Sequence, residues 1–285
     1  MNFPTIKQLR YFLALTETRH FGRAAEACFV SQSAFSNAIK ELENSLGAQL
    51  VDRNNRNVTI SATGQEVAIQ ARLVLRDLES LVEITQGNDA PLCGELRLGV
   101  IPTVAPFMLP KTLPRLRRAH PELRLYLIED QTERVYHRLL DGELDVVLLA
   151  LPWPMRNVDT MELFQDRFCR AYRAGSEQES ILLLEDGHCL RDHALDACRI
   201  RNSQKVQRFG ASSLLTLIEM VDADLAVTYL PEMAQGSALL KNTRVRLDPP
   251  DDSSYRTIGL AWRKGSKRVE EFELLGDRLV EIFCG

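Results

Sequence analysis

Apolar residues recur at helical intervals through the first quarter of the chain. Over residues 5–17, Leu9, Phe12, Leu13 and Thr16 share one face, which predicts a helix. FGRAAEAC, residues 21–28, predicts a second helix, short and rich in alanine. Phe29 and Val30 turn the chain, and Ser31 is positioned to cap a third helix. There Phe35, Ile39, Leu42 and Leu46 follow at intervals of four, three and four, so they face a core, and Gly47 ends the helix. Gln32, Ser33, Ser36, Asn37 and Lys40 fall on the opposite face. LVDRNNRNVTI, residues 50–60, predicts two short strands around an asparagine-rich turn. From Thr63 to about residue 86 nothing breaks a helix, and Thr63 and Glu66 have the spacing of a capping box. Val67, Ala71, Val74, Leu78 and Leu81 form a heptad seam along it. GNDAP, residues 87–91, followed by Cys93 and Gly94, reads as a hinge.

Beyond Glu95 the pattern changes to alternating strand and helix. Strands are predicted over 96–101, 123–128 and 145–150, with helices over 106–119 and 132–141 between them. That βαβαβ order implies a parallel sheet with helices on both faces. Pro152 and Pro154 mark a crossing into a second lobe. In that lobe strands are expected over 168–172, 181–184 and 225–230, and helices over 188–198 and 213–222. A last strand over 257–263 returns to the first lobe, and a helix follows from Lys267. Two α/β lobes joined by crossing strands would take a ligand in the cleft between them.

The segment LLLEDGHCLRDHALDAC, residues 182–198, carries the most distinctive chemistry. Glu185, Asp186 and Gly187 turn the chain, and Asp186 is placed to cap the helix that follows. On one regular helix Cys189 and Cys198 would stand about 13.5 Å apart along the axis, on roughly opposite faces. A disulfide needs Cα atoms within about 7 Å. The two thiols can therefore bridge only if the helix between them melts. An inert buried pair is the plainer reading. A metal site built from His188, Cys189, His193 and Cys198 is a third, but Cys198 lies too far along the helix to join the other ligands.

Composition narrows these options. No apolar run approaches the ~18 residues of a membrane span, and the N-terminus MNFPTIKQLRYF has no secretory pattern. A cytoplasmic protein is expected, one in which the six cysteines are free, catalytic or redox-sensing rather than structural. The net charge of −4 argues against a uniformly basic nucleic-acid binder. Yet residues 1–60 hold seven Lys and Arg against five acids, a basic surplus confined to the first module.

A polar second helix joined to a small-residue helix by a tight turn is helix-turn-helix geometry. Gln32, Ser33 and Ser36 are placed to reach base edges, with Asn37 and Lys40 at base or phosphate distance. Arg53 and Arg56, around the turn of a wing, are available to phosphates. An ordinary helical subdomain with a solvated face would show the same periodicity. The run LRYFLALTETRHFGRAAEACFVSQSAFSNAIKELENSLGAQLVDR, on to Ala62, Thr63 and Gly64, resembles the DNA-binding domain of the LysR-type transcriptional regulators. Its one departure, SQSAFSNAI, leaves the base preference open.

GVIPTVAPFMLP, EDQTERV, EDGHCLRDHALDAC and RTIGLAWR resemble the segments that build the sensing site in the peroxide-responsive branch of that family. The resemblance implies an α+β and α/β chain: a winged helix-turn-helix over 1–61, a dimerisation helix over 62–86, a hinge over 87–94, and a two-lobed, periplasmic-binding-protein-like regulatory domain over 95–285. Lobe I would span about 95–151 and 256–285, and lobe II about 152–255. It implies a DNA-binding transcriptional regulator, not an enzyme, with hydrogen peroxide as its signal. Cys189 would be the peroxidatic cysteine and Cys198 the resolving one, forming a reversible disulfide. Thr103, Thr132, His188 and Arg256 would form the peroxide pocket. Implied partners are operator DNA, RNA polymerase and further copies of the chain as a homodimer or homotetramer, with no membrane, metal or cofactor. The segment between Tyr172 and Ile181 is shorter than the resemblance implies. Cys28, Cys93, Cys169 and Cys284 are expected to have no chemistry of their own. Two other functions stay open: a regulator answering a small organic effector in the interlobe cleft, and a thiol peroxidase.

Overall fold

The computed structural model describes residues 3–54, 57–85, 91–198 and 206–285. The chain divides into two compact units: residues 1–89 with 141–143, and the remainder.

In the first unit, α1 (Ile6–Thr18), α2 (Phe21–Ala27) and α3 (Gln32–Leu46) pack around Phe12, Leu15, Ala24, Phe35, Ile39 and Leu42. The buried stripe of α1 is Leu9, Tyr11, Phe12 and Leu15, rather than the Leu9, Phe12, Leu13 and Thr16 face that the spacing predicts. Tyr11 stacks on Phe35 at 5.1 Å between ring centroids, which pulls that side of α1 inward. Leu46, expected in the core, is exposed beside Gly47, the left-handed residue that ends α3. Strands β1 (Val51–Asn54) and β2 (Asn57–Ile60) pair antiparallel as the wing.

Helix α4 (Ala62–Thr85) starts two residues earlier than the predicted capping box implies. Ser61, not Thr63, is the cap: its Oγ accepts from the Gly64 N–H at 3.0 Å. Gly64 is pressed onto the wing's entry, and a Cβ there would stand 2.3 Å from the Leu50 carbonyl oxygen. Gly64→Ala should therefore lower the stability of this unit by about 1–3 kcal/mol, read as a fall in its thermal midpoint. An unchanged midpoint would show that the helix start can shift freely. Of the predicted seam, Ala71 enters the unit's core and Val67 packs partly against it, beside the off-seam Ala68, whereas Val74 and Leu81 are 47% and 60% exposed.

The second unit is built on one mixed sheet of order β4-β3-β5-β9-β6-β7, with β8 pairing on β6. Strands β3 (Gly94–Val100), β4 (Leu123–Glu129) and β5 (Val146–Leu151) form the expected parallel part. Helices α5 (Ala105–Ala119) and α6 (Thr132–Leu140) are the crossovers. Beyond β5 the sheet turns antiparallel, which the βαβαβ reading did not foresee. Strand β6 (Val158–Arg173) runs for 16 residues, pairing β9 (Tyr255–Arg263) along its first part. Its second part pairs β7 (Thr228–Pro231) and β8 (Val245–Leu247). The pattern located only the end of β6, because charged and apolar residues mix along its first half.

Residues 181–184 are buried but form isolated bridges to Val206, Val227 and Ala211, not a regular strand. Helices α7 (Cys189–Ala197), α8 (Leu214–Asp222) and α9 (Val269–Cys284) complete the unit. Ser213 caps α8 through its Oγ. A continuous apolar core runs from Leu96 and Val146–Leu151 through Ile258 and Leu260 to Leu190, Ala194 and Ile218. No described helix is long and apolar enough to cross a membrane.

Candidate functional site

Four chain segments meet at Cys189, its own among them. Gly187 adopts φ +94°, a conformation open to glycine, and this turns the chain into α7. His188 takes the N-cap position without a side-chain capping bond, and Cys189 is the first helical residue, its thiol buried. Asp186, expected as the cap, is instead exposed and pairs with Arg191 at 3.0 Å. The Gly187 turn carries it away from the helix axis. Thr103 comes from the loop after β3 and Thr132 opens α6; both are buried. Arg256 enters from β9 and is buried completely.

Arg256 organises these residues. Its Nη1 donates to Thr103 Oγ1 at 3.0 Å and its Nη2 to the Thr103 carbonyl at 2.9 Å. Its Nε donates to Asp166 Oδ2 at 2.9 Å, and Asp166 Oδ1 accepts from the Met233 N–H at 3.1 Å. Because Thr103 Oγ1 already accepts from the arginine, its own proton is left to donate, and the Cys189 sulfur is within its reach. Thr132 Oγ1 also faces the sulfur, without completing a hydrogen bond of ordinary geometry. His188 is buried, with no partner for its Nδ1 among the described residues.

The electrostatics are opposed. Burial pushes the Cys189 thiol up from its ordinary value; the Arg256 guanidinium and the Thr132 and Thr103 hydroxyls pull it down, and Asp192 adds a small push upward. At the other end of α7, Cys198 is pushed up to about 11, chiefly by burial, with the Ser254 hydroxyl opposing and Asp251 adding to the rise. His193 is lowered by burial, and its Nε2 lies 3.2 Å from the Pro152 carbonyl. No cluster of three metal-ligating side chains occurs among the described residues. All six cysteines are free.

Asp166 lies outside the expected pocket, although the sequence holds a signal for it. In LFQDRF, Phe164, Asp166 and Phe168 share one strand face, so the aspartate lies between two inward aromatics and needs a buried partner. Ser254 gave no signal, because only the fold brings its loop to α7.

On the first unit, Gln32, Ser33, Asn37 and Lys40 are exposed on one face of α3, with Ser36 half-buried between them. Ser31 Oγ caps the helix at Ala34 N, 3.3 Å away. Arg53 lies in β1. Arg56 lies outside the described residues, as do residues 86–90 of the expected helix end and hinge.

Residues 6–65 match the bacterial regulatory helix-turn-helix protein model of the lysR family, and residues 89–283 match the LysR substrate binding domain. The chain belongs to the LysR family. Like other LysR-family regulators it is a DNA-binding transcription factor, and the family is not one of enzymes. One similar relative is the HTH-type transcriptional regulator EstR of Acinetobacter baylyi, 38% identical over 292 residues, covering 98% of this chain and 97% of the relative. Another is a probable hydrogen peroxide-inducible genes activator of Streptomyces viridosporus, 38% identical over 293 residues, covering 98% and 94%. Among solved structures, a full-length OxyR variant of Pseudomonas aeruginosa aligns with a TM-score of 0.77 at 32% identity, covering 98% of both chains.

Proposed function

We propose that this LysR-family regulator senses hydrogen peroxide through Cys189 and Cys198. The observation that carries the reading is the seat of Cys189: a buried thiol at a helix N-terminus, faced by two threonine hydroxyls and the Arg256 guanidinium. The Cys189 thiolate attacks one peroxide oxygen and hydroxide leaves, giving a sulfenic acid. The helix dipole and Arg256 stabilise the thiolate that burial disfavours. Thr103 and Thr132 hold the peroxide oxygens, and His188 holds the pocket together with Arg256. Cys198 then attacks the sulfenic sulfur and water leaves, closing a disulfide.

Closure requires α7 to unwind, and that refolding is the switch. Gln32, Ser33, Ser36, Asn37, Lys40, Arg53 and Arg56 meet operator DNA in this reading. The exposed Val74 and Leu81 pair with a second copy of the chain, and dimers associate into tetramers in the cytoplasm that engage RNA polymerase. The printed name of the Streptomyces relative supports the peroxide signal.

Intact mass and free-thiol count, before and after one equivalent of peroxide, test the proposal. The expected result is a loss of two hydrogens mapped to Cys189 and Cys198. Survival of both thiols would favour a second reading, suggested by the equally similar EstR and by the substrate-binding family of this half. A small organic effector would then occupy the interlobe cleft.

Thr132→Val separates chemistry from folding. The Thr132 hydroxyl is buried without a well-formed hydrogen bond, so its loss should cost no stability. Sulfenic acid formation should slow by about tenfold or more, measured by rapid-quench trapping with a sulfenate reagent. An unchanged rate would remove Thr132 from the pocket.

A further inference from the structure

The C-terminal end of α7 meets a built contact that the peroxide chemistry at Cys189 leaves unused. Ser254 is buried at the entry to β9, and its Oγ stands 2.9 Å from the Ala197 carbonyl oxygen and 3.0 Å from Asp251 Oδ2. Ala197 is the last helical residue of α7, and Cys198 follows it directly as the C-cap. Helix ends leave carbonyls without intrahelical partners, and here the one Ser254 hydroxyl proton, shared with the Asp251 carboxylate, serves the Ala197 carbonyl from a distant loop. The same hydroxyl lies within hydrogen-bonding reach of the Cys198 sulfur.

The loop that carries Ser254 is fixed. The Ser254 N–H donates to the Asp251 carbonyl at 3.0 Å, and the Ser254 carbonyl accepts from the Phe168 N–H of β6 at 2.8 Å. Ser253 closes the turn through its N–H and Oγ, each 2.9 Å from Asp251 Oδ1. The hydroxyl is thus held on the central sheet, and it ties down the residue next to the second cysteine.

We propose that Ser254 is a positioning residue that restrains Cys198 and sets the rate at which the disulfide closes, a role that rests on the peroxide-sensing reading above. The step it controls balances without any further reactant. The Cys198 thiol loses its proton, its sulfur bonds to the sulfenic sulfur of Cys189, and hydroxide leaves with that proton as water. The oxidant is the peroxide already consumed at Cys189. For the sulfurs to meet, the last turn of α7 must detach from Ser254. Losing one hydrogen bond that exists only in the closed form raises the detached population about fivefold.

The test is rapid-quench mass spectrometry on the full-length reduced protein after one equivalent of hydrogen peroxide, timing sulfenic acid and disulfide separately. In Ser254→Ala the sulfenic acid should form at the wild-type rate and the disulfide should close about fivefold faster. Ser254→Thr keeps the hydroxyl and should restore closure to within about twofold of wild type, which a general loosening of the fold would not do. Closure in Ser254→Ala at or below the wild-type rate overturns the proposal. So does acceleration that Ser254→Thr fails to reverse. Absence of any disulfide between Cys189 and Cys198 in the wild-type protein instead overturns the peroxide-sensing reading, and this role with it.

Discussion

Cys189→Ser should bind operator DNA and give the same footprint with and without peroxide. The hydroxyl that replaces the thiol has no accessible anion near neutral pH and cannot form a stable sulfenate or disulfide. The loss of response should be complete, with no measurable peroxide-dependent change in footprint or transcription. The fold should survive, because the sulfur's role in the core is that of a small side chain at the start of α7, and the Thr103 and Thr132 hydroxyls can accept a serine as a partner. A variant that still changed its footprint with peroxide would place the sensor elsewhere, with Cys169 the next buried thiol to examine. Cys198→Ser should behave differently: it should be oxidised at Cys189 at the wild-type rate and stop at the sulfenic acid. Comparing the two variants separates detection from closure.

Asp166→Ala should cost about 3–5 kcal/mol, the largest stability loss expected of any single change at the site. The Arg256 and Asp166 side chains are 0% and 1% exposed, so removing the carboxylate strands a guanidinium where water cannot reach it. Two further losses follow: the Met233 N–H loses its acceptor, and the anchor that aims Arg256 at Thr103 is gone. Both tryptophans, Trp153 and Trp262, lie in the second unit, so urea unfolding followed by their fluorescence reports on this unit alone. A shift below about 1 kcal/mol would mean that Arg256 finds another counter-charge. Replacing both partners together, Asp166→Leu with Arg256→Met, should recover much of the loss, because an apolar pair leaves nothing unsatisfied.

Much of the architecture was legible because it rests on local rules. The helix-turn-helix follows from the Phe35, Ile39 and Leu42 stripe and from Ser31 and Gly47 at the ends of α3. The parallel part of the sheet follows from runs such as VVLLAL, buried at every position. What stayed hidden depends on long-range pairing. The first half of β6 reads as a mixed polar segment, because its faces are defined by β9, about a hundred residues away in sequence. The cap of α4 lies two residues before the one that the spacing predicts, because Ser61 reaches its role only when Leu50 and Gln49 pack against it. At the candidate site, spacing alone framed the question of two thiols on a short helix. The residues around them come through resemblance, Asp166 is hinted at by its place between Phe164 and Phe168, and Ser254 comes only through the fold.

Strands β6 and β9 have a mechanical consequence. They lie side by side through the middle of the sheet, with β5 on one flank and β7 and β8 on the other. Any large hinge between the two ends of the sheet must shear this central ladder, nine residue pairs interrupted by a single bulge between Glu162 and Phe164. The pair therefore acts as a keel: stiff along its length, and yielding mainly at that irregularity. At one end, Arg167 at the close of the ladder joins Glu232 and Asp252 in an ion-pair cluster that pins it. The bulge is where such a beam would flex, and on the proposed peroxide-sensing reading an insertion or stiffening there should change the response on DNA while leaving Cys189 oxidation at the wild-type rate.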